Sequence, residues 1–173
     1  DANITGVESG NGTADAVRVV STGGRVLDGG DTRLDVIADS APAAKLTAAG
    51  LLGVGSDGNP LEVRVRDLNA SSANGSVAVS AVGDSGNITG GPVSSTGSGT
   101  QGPDKSIQVT ALGGSVVLDS VSGQQGVRVD GLNGVDLGVV SSTNGSVALV
   151  SGAGDVKSGT AQAGQDVMMT ALA

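Results

Sequence analysis

The side chains best equipped for chemistry in this chain are carboxylates. Asp119, Asp130 and Asp136 fall in neighbouring stretches of similar pattern, and carboxylates brought together in that way serve sugar-cleaving enzymes. The sequence contains no His and no Cys. The usual general base and the strongest nucleophile are therefore missing, and catalysis would rest on carboxylates, Lys and Ser. It also contains no Phe, Tyr or Trp, so no flat ring exists on which a sugar could stack. The three aspartates read as solvated turns and outward strand positions. No catalytic residue is assigned, and the chain is expected not to be an enzyme.

Metal binding is the next chemistry to weigh. Gly55-Ser56-Asp57-Gly58-Asn59 and Gly83-Asp84-Ser85-Gly86-Asn87 are short acidic glycine loops. Neither completes an EF-hand, and the repeated Gly-Gly-x-Gly-x-Asp calcium pattern is absent. Turn chemistry chooses the same residue types. No metal ligand and no cofactor are assigned.

Asparagine gives a sharper signal. Six of the eight asparagines open an Asn-x-Ser/Thr triplet: Asn3, Asn11, Asn69, Asn74, Asn87 and Asn144. Ser and Thr are 33 of the 173 residues, a density that predicts one or two such triplets by chance. These six are candidate sites of N-linked glycosylation. Tight turns compete as the explanation, because Asn74 and Asn144 each lie three residues before a strand-opening Val, and Asn-Gly-Ser suits a turn.

The elements that would carry these residues emerge from periodicity. Ile107, Val127, Val147 and Val167 recur every twenty residues, as do Val109, Val129, Leu149 and Met169. Leu112, Leu132 and Leu172 suggest a third apolar column, interrupted by Gly152. Each row alternates apolar and mostly polar residues over its first four positions, which is the period of a strand with one face inward. A glycine-rich pair follows, such as Gly113-Gly114 or Asn133-Gly134, then a second apolar piece and a polar turn. Val17 to Leu27 matches Ile107 to Val117, and Val77 to Asp84 matches Val147 onward. Roughly eight rows can be traced.

Rows this short have no room for a crossover helix. They bury their apolar columns only by stacking, which places each strand parallel to its equivalent about 4.8 Å away. With no aromatics, Val, Leu, Ile and Ala must fill the interior, and small branched side chains suit a narrow space of constant section. Disorder would also explain abundant Gly and Ser with a net charge of −8, but the regular apolar columns and a mean hydropathy of +0.15 oppose it. An antiparallel sandwich would not repeat identical columns at one fixed offset. The expected fold is all-β, a single parallel β-solenoid without an aromatic core. Residues 17–173 form its repeats, residues 1–16 a polar cap or extension, and residues near 90–105 an inserted loop.

Phrases such as Gly145-Ser146-Val147-Ala148-Leu149-Val150-Ser151-Gly152 and Gly75-Ser76-Val77-Ala78-Val79 resemble the repeats of filamentous haemagglutinin-type adhesins. The resemblance covers most of residues 17–173 and lies in the style of the repeat. It implies a right-handed parallel β-helix forming the shaft of a secreted, surface-attached bacterial protein. The Asn-Pro motifs of that family's secretion domain are not found, Asn59-Pro60-Leu61 being a faint echo. An extracellular or cell-surface location is expected, with a host or cell-surface ligand. The acidic balance argues against nucleic acid, and no apolar run is long enough for a transmembrane segment. The apolar final row, Val167 to Leu172, suggests continuation into a longer parent chain or end-to-end self-association into a filament.

Overall fold

The computed structural model describes residues 1–13, 16–30, 33–40, 45–82, 86–97 and 106–172. Every regular element among them is a strand. In chain order these are β1 (Ala2–Ile4), β2 (Val7–Glu8), β3 (Val17–Ser21), β4 (Arg25–Asp28), β5 (Val36–Ala38) and β6 (Lys45–Gly50). There follow β7 (Gly53–Val54), β8 (Leu61–Val65), β9 (Asp67–Ser72), β10 (Ser76–Ala81), β11 (Ile88–Ser95) and β12 (Ile107–Ala111). The last six are β13 (Ser115–Gly123), β14 (Val127–Gly131), β15 (Gly134–Ser142), β16 (Val147–Ser151), β17 (Val156–Ala163) and β18 (Val167–Ala171).

The strands form two parallel sheets that the chain visits alternately. One runs β1-β4-β7-β10-β12-β14-β16-β18, with β2, β5 and β8 alongside; the other runs β17-β15-β13-β11-β9-β6-β3. This is a parallel β-solenoid. The twenty-residue offset is a stacking register: Val77 pairs with Ile107, Ile107 with Val127, Val127 with Val147, and Val147 with Val167. The aliphatic interior lies between the sheets. Ile107, Val109, Val129, Val147 and Leu149 are fully buried, facing Val116, Leu137 and Val140 of the second sheet. Each such side chain contributes about 1.5–3 kcal/mol of burial before conformational entropy is subtracted.

The two halves of the rod build their coils differently. From β10 onward the first sheet has one continuous strand per coil. In the second sheet, alternation slips by one residue inside each long strand: Val116 and Leu118 point in, then Val121, and likewise Val135 and Leu137, then Val140. Two adjacent outward residues make the bend there. In the N-terminal coils the first sheet is instead divided, β4 from β5 and β7 from β8. Strand β10 closes the division by pairing with β7 through Ser76 and Val77 and with β8 through Val79 to Ala81.

Several expectations need correction. Leu112 and Leu132 are 61% and 47% exposed and do not belong to the core ladder. Residue 112 shares parity with the outward-facing Gln108 and Thr110, so strict alternation turns it to solvent. Val167 and Met169 have inward parity and pair with Val147 and Leu149, yet both are 44% exposed, with no further coil stacked on theirs among the described residues. The likeness in sequence of the row from Val17 to the row from Ile107 does not extend to their place in the fold. Val17–Ser21 lies in the second sheet against β6, whereas β12 lies in the first. Within the N-terminal segment expected as a cap or extension, β1 pairs with β4 and β2 with β5, and Ile4 is buried. Of the loop expected near 90–105, residues 90–95 are strand, bulged between Gly90 and Val93 where β11 meets β9. Residues 98–105 lie outside the described residues.

Candidate functional site

The turns joining the second sheet back to the first are built by serine and glycine. Ser72 Oγ accepts the Gly75 N–H at 2.9 Å, and Ser142 Oγ accepts the Gly145 N–H at 3.1 Å. A Cβ on Gly75 would lie 1.9 Å from the Leu52 carbonyl oxygen, and one on Gly145 would lie 2.1 Å from that of Gln125. The coil beneath therefore dictates glycine at these positions. The intervening Asn74 and Asn144 are exposed, and no side-chain hydrogen bond ties them into the turn.

The other triplet asparagines differ in setting. Asn3 and Asn11 are exposed, and Asn11 Oδ1 accepts the Thr13 N–H at 3.2 Å in a local turn. Asn69 sits half-buried in β9, its amide oriented so that Oδ1 accepts from Lys45 Nζ at 2.8 Å. Asn87 is exposed, but its Oδ1 accepts the Ser115 N–H of the next coil at 2.8 Å. Turn or ladder chemistry thus occupies Asn11, Asn69 and Asn87, and leaves Asn74 and Asn144 presented at matching corners.

The structure does not gather Asp119, Asp130 and Asp136. Asp119 and Asp136 are exposed on the second sheet, while Asp130 lies on the first. Asp130 is taken by Arg128, two residues back on β14, through contacts of 2.6 and 2.8 Å. The Gly55–Asn59 loop is a tight reversal: Ser56 N–H donates to the Asn59 carbonyl at 2.9 Å and Asn59 N–H returns to Ser56 at 3.0 Å. In the second acidic loop, residues 83–85 lie outside the described residues. An open cleft of about 500 Å³ is lined by Asp39, Arg64, Arg66, Asn87 and Thr89, among others. Arg64 Nε reaches Asp39 Oδ2 at 2.6 Å there.

A different carboxylate group was missed by the sequence reading. Asp28 ends β4, Asp35 immediately precedes β5, and Glu62 lies in β8, so all three meet where the first sheet divides. One carboxylate oxygen from each lies within 4.8 Å of the others. Asp28 is 6% exposed and Asp35 fully enclosed. Asp28 Oδ1 accepts the Gly30 N–H at 2.9 Å, and Asp35 Oδ2 accepts the Glu62 N–H at 2.9 Å. Asp28 Oδ2 and Asp35 Oδ1 are buried without a hydrogen-bond partner among the described residues. Burial, then the charge of Asp28, a carboxyl–carboxyl hydrogen bond with Glu62 and the Glu62 charge, push the Asp35 carboxyl up to about 8 against the lowering effect of the Glu62 N–H. One readable signal existed: Asp28 has the same parity as buried Val26 and must therefore point inward. Asp35 and Glu62 join it only through a coil geometry that the irregular N-terminal rows conceal.

No family model, curated protein or solved structure matches the chain. Among the described residues, no helix is long and apolar enough to cross a membrane.

Proposed function

We propose that this chain is a non-catalytic shaft segment of an extracellular, surface-attached structural or adhesive protein. The observation that carries the reading is the unbroken ladder Val77–Ile107–Val127–Val147–Val167. It stacks apolar side chains coil upon coil, the arrangement of a stiff spacer. The separation of Asp130, on the first sheet, from Asp119 and Asp136, on the second, supports the non-catalytic reading. Repeats of the filamentous haemagglutinin type, which these rows resemble, suit the same role. Electron microscopy of the purified chain, with a binding assay on cell surfaces and an activity screen on polysaccharides, tests it. Short rigid rods that retain no sugar-cleaving activity fit the proposal; turnover of any polysaccharide, lost on replacing Asp119 or Asp136, contradicts it.

A second reading makes the chain a filament subunit. Strand β18 has β16 as its neighbour and presents its other edge unpaired, with Val167, Met168 and Met169 exposed beside it. Another copy, or a further coil of a longer chain, would continue the ladder across that edge. Fibres that lengthen with concentration favour the copy; rods of constant length favour the shaft.

A further inference from the structure

We propose that Asp28, Asp35 and Glu62 form a binding site for a hard divalent cation, calcium by preference, at the place where the first sheet divides. Three carboxylate oxygens drawn within 4.8 Å of one another have the spacing of ligands around a single ion: at a calcium–oxygen distance of about 2.4 Å, oxygens on opposite sides lie about 4.8 Å apart. The donor set is all oxygen, which selects calcium, magnesium or manganese over the softer metals. Magnesium demands a smaller octahedral shell and gives up its water reluctantly, whereas calcium accepts irregular carboxylate shells.

Acidic groupings on a surface are ordinary, and this one is not on the surface. Asp28 Oδ2 and Asp35 Oδ1 are buried and have no hydrogen-bond donor among the described residues. Neither aspartate forms an ion pair there. Their other oxygens are held by backbone N–H groups, Gly30 for Asp28 and Glu62 for Asp35, which fixes the side chains with the orphaned oxygens left over. A buried carboxylate oxygen left without a donor or a countercharge is costly. A cation would neutralise the cluster and tie the coil of β4 and β5, through Asp28 and Asp35, to the coil of β8, through Glu62. It would clamp the part of the rod where each first-sheet strand is broken in two.

The test uses the full chain, stripped with a chelator and then freed of it. Calorimetric titration with calcium chloride should give one ion per chain, with magnesium chloride weaker. The thermal midpoint followed by far-ultraviolet circular dichroism should climb with free calcium, as linkage requires. Asp35→Asn should weaken calcium by roughly tenfold or more, since ligand charge sets affinity at such sites, while Asp119→Asn leaves it unchanged. Europium(III), excited directly, should lose most of its coordinated water on binding the unsubstituted protein. That readout decides the matter even if Asp35→Asn fails to fold. A europium ion that keeps its full hydration, calcium binding that Asp35→Asn does not weaken, or the absence of one-to-one binding overturns the proposal. So does a midpoint that ignores calcium and responds only to acid, which would identify the cluster as carboxyls sharing protons.

Discussion

Asp35 and Glu62 are tied to each other twice: the Asp35 N–H donates to the Glu62 carbonyl at 3.0 Å, and the Glu62 N–H donates to Asp35 Oδ2 at 2.9 Å. A rung of the inter-coil ladder and a buried carboxylate are thus one structure. Stability of the coils that contain β5 and β8 is coupled to the charge on that carboxyl.

This coupling sets a pH dependence for the cation-free protein. Asp35 is raised from 3.8 to about 8 in the fold, mainly by burial, with the charges of Asp28 and Glu62 adding to it. Between those values the native chain holds a proton that the unfolded chain has released. Stability is therefore greatest below pH 4 as far as this group is concerned, declines as pH rises toward 8, and levels off above. Thermal melts in chelator should show that decline, and Asp35→Asn should flatten it. A midpoint that rises across the same interval would contradict the placement of Asp35 in a dry site.

The facing of the ladder predicts a sharp contrast between adjacent residues. Val129 is fully buried between Val109 and Leu149, so Val129→Asp puts a carboxylate in a dry aliphatic column and should cost about 4 kcal/mol. Arg128 is outward, in a half-exposed pair with Asp130, and Arg128→Ala should cost no more than about 1 kcal/mol. At about 2–4 °C per kcal/mol for a chain of this size, thermal melts separate the two. Equal losses would mean that the inward face is misassigned.

The sequence reveals this fold where its coils are equal in length. From Ile107 onward each row of the first sheet has twenty residues, so columns in the text are columns in space. Counting failed where parity should have governed: Leu112 and Leu132 recur faithfully yet face solvent. A repeat shows that residues stack, and only alternation shows which way they point. The N-terminal coils are harder because both sheets use the same alternating code. Val17–Ser21 reads like a first-sheet strand and belongs to the second. The Asp28–Asp35–Glu62 group depends on the division of β4 from β5, which has no counterpart after β10, and no spacing rule links its members.

Glycine at the corners answers to the neighbouring coil, and this can be separated from glycine as a turn former. A methyl group on Gly145 would meet the Gln125 carbonyl oxygen at 2.1 Å, whereas one on Gly23 meets nothing within 4 Å. Gly145→Ala should therefore force the β15–β16 corner away from the β13–β14 corner beneath it and cost about 2 kcal/mol. Gly23→Ala should be neutral or stabilise by about 0.4–1 kcal/mol through the unfolded chain. Denaturant midpoints of the two variants check this, and a Gly145→Ala protein as stable as its parent would show that the corner is looser than its geometry.

The same corner predicts which residue makes the turn. Ser142 is buried, its Oγ accepting the Gly145 N–H and donating to the Gln125 carbonyl of the coil below. Ser142→Ala strands a buried N–H and a part-buried carbonyl at once, and should cost about 1–3 kcal/mol. Asn144 is exposed and makes no side-chain bond there, so Asn144→Gln should stay within about 0.5 kcal/mol. If thermal melts give that order, turn formation does not account for asparagine at this position, and the Asn-x-Ser triplets at Asn74 and Asn144 need another reason to exist. Intact mass of the protein from its native source then tests the remaining one: hexose-sized increments on the peptides carrying Asn74 or Asn144 would establish the sugar, and bare peptides would remove it.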